Sequence, residues 1–403
     1  MTTTYQNSIK IKILLKERIG KKTMVKFFRG NNIKTLTKDL YNNPTVIYGT
    51  SYGAIRIYKE LVLNNVEVVV FTNSDANLPE DVSDQFFLNK RIISLSELRE
   101  HRDDFNVVIG TKQLRFIRQI NEILNNLGII NIFVYHSVYG AGEYNIEEMK
   151  SKIERSSAKI SRLYKSLADE ESKRVFQNLL DYRASNDLSL IERSYEMRHK
   201  QYFPVASDKI LCFNEEEVFV DAGAYDGGTT LDFIEYVQNK CKHIYSFEPD
   251  SLMYAILKET VKVKGLDNVT TYPYGLFNKK SLIGFSQLPD NGSSCIDESE
   301  SANTIETVSL DELLYKEAMK ITYIKMDIEG AEREALDGAS GIIKRDHPKL
   351  AISIYHKDDD LWELPYKILT DYEGYKLYIR HYTDITTETI CYAVPISEED
   401  YGE

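Results

Sequence analysis

Short apolar runs alternate with helix-periodic segments over most of the chain, and a polar helical stretch separates two such regions. Residues 41–140 contain four strand-like runs, TVIYG, VEVVVFTN, FNVVIGT and INIFVYH, with helical patterns between them. Strands that alternate with helices usually pair in parallel, so this region predicts a small α/β domain. Residues 141–204 are polar and helix-periodic, with no glycine or proline over residues 146–200, and predict a helical connector.

The alternation resumes in residues 205–403, which predict a second and larger α/β domain. Five runs, VFVDAG, HIYSFEPD, NVTTYPYG, ITYIKMDIEG and PKLAISIYH, have the character of buried parallel strands. Two final runs, YKLYIRHY and ETICYAVP, predict a closing antiparallel pair. The whole predicts a doubly wound sheet, in which ligands bind at the carboxyl ends of the strands.

A glycine-rich turn, DAGAYDGG, follows the first strand of this second domain. Gly223 and Gly227 allow the backbone to turn tightly and to approach a ligand. A dinucleotide site presents bare amides to a pyrophosphate, which Asp221 and Asp226 would repel. S-adenosylmethionine has no phosphate and carries an ammonium and a sulfonium group, so the acidic turn predicts that cofactor.

Polar residues also follow the other four parallel strands. Glu248 comes roughly 25 residues after the first glycine, the spacing at which an acid accepts ribose hydroxyls. Tyr274 follows the third strand, Asp327 the fourth and His356 the fifth. Asp327 also fits the N-cap of a helix over EGAEREAL, and His356 also fits a core histidine. The acids at 358–360 suit a solvated loop or a helix N-cap.

The ordered set DAGAYDGGTT, FEPD, NGSS, KMDIEGAE, AISIYHKDDDLWELP and RHYTDITTETICYAVP resembles the FkbM family of S-adenosylmethionine-dependent methyltransferases over about residues 181–395. The resemblance implies a class I methyltransferase fold after a Rossmann-like accessory domain. It implies O-methylation of a sugar, glycan or secondary metabolite, as in polysaccharide biosynthesis. The cofactor-binding residues that it and the strand-end pattern indicate are Asp221, Gly223, Ala224, Tyr225, Gly227, Glu248, Pro249, Tyr274 and Asp327.

The family pattern places Asp327 and Glu329 towards the acceptor and leaves the catalytic base open among His356, Asp327 and His381. A histidine base at 356 predicts a rate that rises with pH through an inflection between roughly 6 and 7.5. Magnesium held by Asp327 with a neighbouring carboxylate or His356 is the alternative mechanism. A cofactor-binding sensor without turnover is the non-enzymatic alternative.

Charge and cysteine content limit the kinds of binding partner and the cellular location that we expect. The net charge of −12 disfavours a nucleic-acid binder, although residues 1–40 hold ten Lys or Arg against two acids. This predicted basic arm, irregular or helical, fits peripheral contact with an anionic membrane or a solvated helix. Four scattered cysteines form no C-x-x-C pair, and no apolar run suits a membrane span or a secretory signal, so we expect a cytoplasmic protein without a zinc site.

The first domain also contains G-x-S-x-G at residues 49–53, the pattern of a hydrolase nucleophile elbow with Ser51 as nucleophile. That elbow needs an acid and a histidine in a larger sheet, and His101 and His136 are the nearby histidines. We therefore interpret it as a glycine turn of a Rossmann-like unit. Its domain is expected to hold the acceptor or to form a homodimer.

Overall fold

The computed structural model contains two large sheets joined by helices, and a smaller third sheet beside the second. It describes residues 26–28, 40, 42–63, 65–74, 86–111, 114–135, 146–185, 187, 189–195, 201–204, 210–287, 294–296, 303–317 and 319–396. Within these ranges, no helix is both long enough and apolar enough to span a membrane.

The first sheet has seven strands in the order β1-β7-β6-β2-β3-β5-β4, and all its pairs are parallel except β4 with β5. The strands are β1 (Lys26–Phe28), β2 (Thr45–Tyr48), β3 (Val68–Thr72), β4 (Phe86–Phe87), β5 (Lys90–Ile93), β6 (Asn106–Ile109) and β7 (Ile132–Tyr135). The helices are α1 (Tyr52–Leu63), α2 (Leu95–Glu100) and α3 (Leu114–Asn126).

This sheet contains the four predicted strands and three more. Strand β1 lies inside the predicted basic arm and pairs with the outer edge of β7, so residues 26–28 are extended and belong to the sheet. An unpaired strand edge offers backbone donors and acceptors to such an added strand. The rest of the predicted arm, apart from residue 40, lies outside the described residues.

The described part of the connector contains four helices, which confirms its predicted helical character. They are α4 (Ile146–Arg155), α5 (Ser157–Ser166), α6 (Glu170–Ser185) and α7 (Ser189–Glu192). Val175, Phe176 and Leu179 of α6 are buried in an apolar cluster that also contains residues of both large sheets. The connector therefore packs against both sheets, while the predicted boundaries at 41, 141 and 205 stay predictions.

The second large sheet has the order β10-β9-β8-β15-β16-β18-β17. Its strands are β8 (Val218–Ala222), β9 (His243–Phe247), β10 (Val269–Tyr272), β15 (Tyr323–Met326), β16 (Lys349–Ser353), β17 (Tyr375–His381) and β18 (Thr389–Pro395). Its helices are α8 (Gly228–Tyr236), α9 (Ser251–Lys264), α10 (Leu310–Leu314), α11 (Glu332–Gly338), α12 (Ser340–Asp346) and α13 (Asp360–Asp371). Five parallel strands and a terminal antiparallel pair confirm the predicted class I methyltransferase fold.

The chain direction places a crevice at one edge of this sheet. From β8 the sheet continues to β9 on one side and to β15 on the other, and the carboxyl ends of all three strands lie at the same edge. Open α/β sheets bind ligands at such a switch point.

A small sheet of order β11-β14-β12-β13 lies beside this crevice. It consists of β11 (Gly275–Leu276), β12 (Ser281–Gln287), β13 (Ser294–Ile296) and β14 (Asn303–Val308). Strands β12 and β13 pair in antiparallel orientation. Ile283 and Ile305 of this sheet line the cavity described next.

Candidate active site

A cavity of about 320 Å³ opens at the carboxyl ends of β8, β9 and β15. Six predicted cofactor-binding residues line it: Gly223, Tyr225, Glu248, Pro249, Tyr274 and Asp327. Three others, Asp221, Ala224 and Gly227, are buried beneath the turn and do not line it. The strand-end pattern therefore located the cavity, and it overestimated how much of the turn faces a ligand.

Gly223 is required by contact with the neighbouring strand. Its φ is +79°, and an added Cβ would lie 2.0 Å from the backbone oxygen of Asp327. The expected close approach is thus to the protein's own backbone. Gly227, with φ +93°, occupies the N-cap of α8, where an added Cβ would lie 3.1 Å from Leu257.

Asp221 has a structural role instead of the predicted contact with the cofactor. Its side chain is fully buried, 3.1 Å from Lys325 Nζ, and it accepts a hydrogen bond of 2.8 Å from Thr230. Lys325 Nζ also donates to the backbone oxygens of Ala222 at 3.0 Å and Gly223 at 2.7 Å. Lys325 offsets the negative charge of Asp221, so Asp221 cannot make the turn acidic towards a ligand, as the sequence argument assumed.

Glu248 is fixed beside the cavity by the backbone. Its carboxylate accepts hydrogen bonds of 2.8 Å from the amides of Tyr225 and Asp250. Burial raises the pKa of Glu248 despite these two hydrogen bonds. Each carboxylate oxygen has a second lone pair, so the group can accept two hydroxyl donors while it keeps both amides.

Asp327 is held by two tyrosines. Its Oδ2 accepts from the Tyr202 hydroxyl at 2.7 Å, and its Oδ1 from the Tyr355 hydroxyl at 3.0 Å. Burial would raise the pKa of Asp327, but the charges of His356 and Lys325 outweigh burial and lower it. The proposed N-cap role is wrong, because α11 begins at Glu332, five residues later, and has no side-chain cap.

His356 lies between carboxylates on both sides of its ring. Its Nδ1 is 2.9 Å from Glu332 Oε1, and its Nε2 is 3.3 Å from Asp327 Oδ1 and 3.5 Å from Glu329 Oε2. Burial alone would lower the pKa of His356. The charge and hydrogen bond of Glu332, followed by the charges of Asp327 and Glu329, outweigh burial and raise the pKa to about 10.

This geometry corrects the prediction of a histidine base. An imidazole that holds both protons at neutral pH has no lone pair for the acceptor's proton, so no inflection between roughly 6 and 7.5 is expected from His356. The acids at 358–360 are expected in a solvated loop or at a helix N-cap. Asp359 occupies the N-cap position of α13, without a side-chain cap hydrogen bond. Solvation is wrong for Asp360, which is 4% exposed and accepts from the Lys357 amide at 2.7 Å.

His381 does not join the cluster around Asp327. It is 1% exposed at the end of β17, its Nδ1 lies 2.9 Å from Thr389 Oγ1, and it does not line the cavity. Burial lowers the pKa of His381 to about 3. The structure therefore does not support a catalytic role for it.

Sequence reasoning missed Glu388, the residue immediately before β18. Glu388 lies 3.5 Å from the Tyr355 hydroxyl and hydrogen-bonds Gln201. Burial, followed by the charge of Asp327, raises the pKa of Glu388 to about 7. An antiparallel strand begins at the edge where parallel strands end, so the start of β18 was a usable signal. Gln201 and Tyr202 had no such signal, because QYFP indicated only the end of a helix.

The glycine turn of the first domain is explained by packing. An added Cβ on Gly53 would lie 2.9 Å from the backbone oxygen of Gly110, so α1 starts in close contact with the end of β6. His101 lies 3.2 Å from Asp104 at an exposed position after α2, and His136 is outside the described residues. Packing therefore accounts for the glycines without a hydrolase at Ser51.

Comparisons with known proteins agree with this geometry. Residues 221–381 match the model of the methyltransferase FkbM domain. A crystal structure of methyltransferase FkbM from Methylobacillus flagellatus KT is similar over 90% of this chain and 93% of that chain, with 22% identity and a TM-score of 0.66. A fibrillarin from Aeropyrum pernix, solved with bound S-adenosyl-L-methionine, is similar over 47% of this chain and 72% of that chain, with 12% identity and a TM-score of 0.30. A search of curated proteins finds no match. Residues 221–381 thus match a methyltransferase domain of the FkbM family, and the chain has the fold of a methyltransferase.

Proposed function

We propose that this methyltransferase transfers the methyl group of S-adenosylmethionine to a hydroxyl of a sugar, glycan or secondary metabolite. One observation carries the proposal: the Glu248 carboxylate is fixed beside the glycine turn and faces the switch-point cavity. In this position an acid accepts the two ribose hydroxyls of a nucleoside. The FkbM domain match supports the same chemistry.

The cavity walls suit the rest of the cofactor. Phe247, Met253 and Leu276 line the cavity and offer apolar contact to an adenine ring. Asp327 and Glu329 also line the cavity and would bring negative charge to a sulfonium. A sulfonium is a permanent cation, so these carboxylates favour it over a neutral sulfur.

The transfer is an in-line displacement. The acceptor oxygen forms a bond to the methyl carbon as the bond from that carbon to sulfur breaks, and S-adenosylhomocysteine leaves as a neutral thioether. Most of the acceleration comes from holding the oxygen opposite the sulfur. The hydroxyl proton passes to Asp327 or Glu329, which line the cavity, and not to His356.

A helix of the N-terminal domain contacts the loop that precedes β18. The backbone amide of Arg115, on α3, donates to Asp384 Oδ2 at 3.3 Å, and Asp384 lies four residues before Glu388. This contact supports a role for the N-terminal domain in placing the acceptor.

Calorimetry with S-adenosylmethionine tests the cofactor assignment. Two hydrogen bonds from ribose to a charged group contribute about 3 kcal/mol together, so Glu248→Ala should weaken binding about 100-fold. Glu248→Gln keeps one acceptor oxygen, so its affinity for S-adenosylmethionine should lie between those of the wild type and Glu248→Ala. The control Glu259→Gln, on the exposed face of α9, should bind the cofactor as the wild type does. Unchanged affinity in folded Glu248→Ala protein would remove the ribose assignment.

A further inference from the structure

The cluster beneath the cavity brings ligand-type side chains together from three elements. Asp327 follows β15, Glu332 is the first residue of α11, and His356 follows β16. One candidate ligand atom from each lies within 4.8 Å of the other two. Glu332 faces Nδ1 of the ring, so the carboxylates that can share a cation with Nε2 are those of Asp327 and Glu329. Carboxylate oxygens bind magnesium, manganese or calcium at roughly 2.0–2.6 Å.

The histidine has the surroundings of a metal ligand. Glu332 Oε1 lies 2.9 Å from Nδ1, an arrangement that orients metal-binding imidazoles and sets their tautomer. A cation would displace the proton that Nε2 carries in the metal-free protein. Nε2 faces Asp327 Oδ1 at 3.3 Å and Glu329 Oε2 at 3.5 Å. These separations suit neighbouring ligands of one cation.

The carboxylate that orients the ring is itself positioned. Glu332 is 1% exposed, and its Oε1 accepts the Ile328 amide at 2.9 Å. Within the part of the chain that the structure describes, its Oε2 is a buried oxygen without a hydrogen-bond partner. Leaving a buried carboxylate oxygen without a partner is costly, and a nearby cation offsets that cost.

The local charge is also unbalanced. Asp327, Glu329 and Glu332 surround the single imidazole, and Asp360 acts electrostatically on Glu332 and His356. Lys325 is already paired with Asp221. A buried excess of carboxylates is stabilised by a divalent cation.

We propose that His356 Nε2, Asp327 and Glu329 bind one divalent cation, with Glu332 as the positioning residue on Nδ1. Carboxylates with a single imidazole favour manganese or magnesium over softer metals. The side chain of Glu329 is 30% exposed and lines the cavity, so the cation has an open side towards the acceptor. A cation there would bind the acceptor oxygen and ease loss of its proton, a role that rests on the proposed function. The existence of the cation site does not depend on the proposed function.

Manganese titration of the metal-free enzyme tests the site. Full-length protein is treated with EDTA, dialysed, and titrated at pH 8 without cofactor, with free Mn²⁺ measured by electron paramagnetic resonance. We expect one Mn²⁺ per chain, displaced by Mg²⁺. His356→Gln and Glu329→Gln should each weaken binding at least 10-fold, and Glu332→Gln between about 10- and 100-fold. Glu259→Gln, with the same charge change on the exposed face of α9, should bind as the wild type does.

The outcomes are distinguishable from each other. Absence of stoichiometric binding, or binding that is unchanged in Glu329→Gln, overturns the site. Displacement by Zn²⁺ but not by Mg²⁺ overturns the assigned metal class. Glu329 is partly exposed, so its variant tests the site even where His356→Gln does not fold. Metal-free protein that binds S-adenosylmethionine normally and does not bind Mn²⁺ overturns this inference alone.

Discussion

Replacing Lys325 by methionine tests whether the cofactor turn depends on the buried ion pair. Methionine has a similar length and no charge, so it fills the space while removing every contact of Nζ. The lost contacts include those to Asp221 at 3.1 Å, to the backbone oxygen of Ala222 at 3.0 Å, and to that of Gly223 at 2.7 Å. Nζ also lies over the Tyr202 ring, 5.2 Å from its centre, and this cation–π contact is lost too. Asp221, with no exposed surface, is left as an unpaired charge.

Breaking a buried pair by removing one partner costs about 3–5 kcal/mol, which is the destabilisation expected for Lys325→Met. Adding Asp221→Asn removes the stranded charge, so the double variant should be about 2 kcal/mol more stable than the sum of the single variants predicts. Non-additive effects would show that loss of the ion pair causes the destabilisation. Loss of packing alone would give additive effects.

Urea unfolding followed by tryptophan fluorescence provides the assay. Trp362 is the only tryptophan in the chain, is 1% exposed and lies on α13, so its emission reports the C-terminal sheet. A Lys325→Met variant within about 1 kcal/mol of the wild type, or additive effects in the double variant, would refute the argument.

Two further predictions use the same assay. Gly223→Ala should destabilise the protein by more than about 2 kcal/mol, because the new Cβ would meet the backbone oxygen of Asp327. The control is Gly265→Ala, at φ +64° with nothing within 4 Å, which should cost about 1 kcal/mol. Equal costs would contradict a steric clash between residue 223 and Asp327. Burial would raise the pKa of Asp169, but hydrogen bonds from Arg380 and Ser172 and the charge of Arg380 outweigh burial and lower it. The ionised carboxylate therefore stabilises the fold above its unfolded pKa of about 3.9. This stabilisation is lost as the pH falls through the folded pKa. Asp169→Asn should therefore cost about 1–2 kcal/mol at pH 7 and progressively less below about pH 4; a pH-independent difference would contradict this.

The fold was predictable because it depends on local patterns. Apolar runs that stop at Asp221, Glu248 and Asp327 mark parallel strands, and the carboxyl ends of parallel strands share one edge. That rule placed the cavity without any knowledge of side-chain contacts. The same pattern did not predict the strand at residues 26–28, because a run of three residues is too short to show a period.

The roles inside the site were less predictable, because they depend on partners that are distant in sequence. Asp221 looked like a free acid, and only the packing of β8 against β15 shows that Lys325 pairs with it. His356 looked like a base that nearby acids at 358–360 would tune. The acids that decide its pKa are Glu332, Asp327 and Glu329, which come from the neighbouring strand end.

The central claim, that the switch-point cavity holds S-adenosylmethionine, is tested most directly by a crystal structure with S-adenosylhomocysteine. The account predicts both ribose hydroxyls on the Glu248 carboxylate and the sulfur on the side of the cavity where Asp327 and Glu329 lie. A cofactor bound at the glycine turn of residues 49–53, or one whose ribose makes no contact with Glu248, would contradict it.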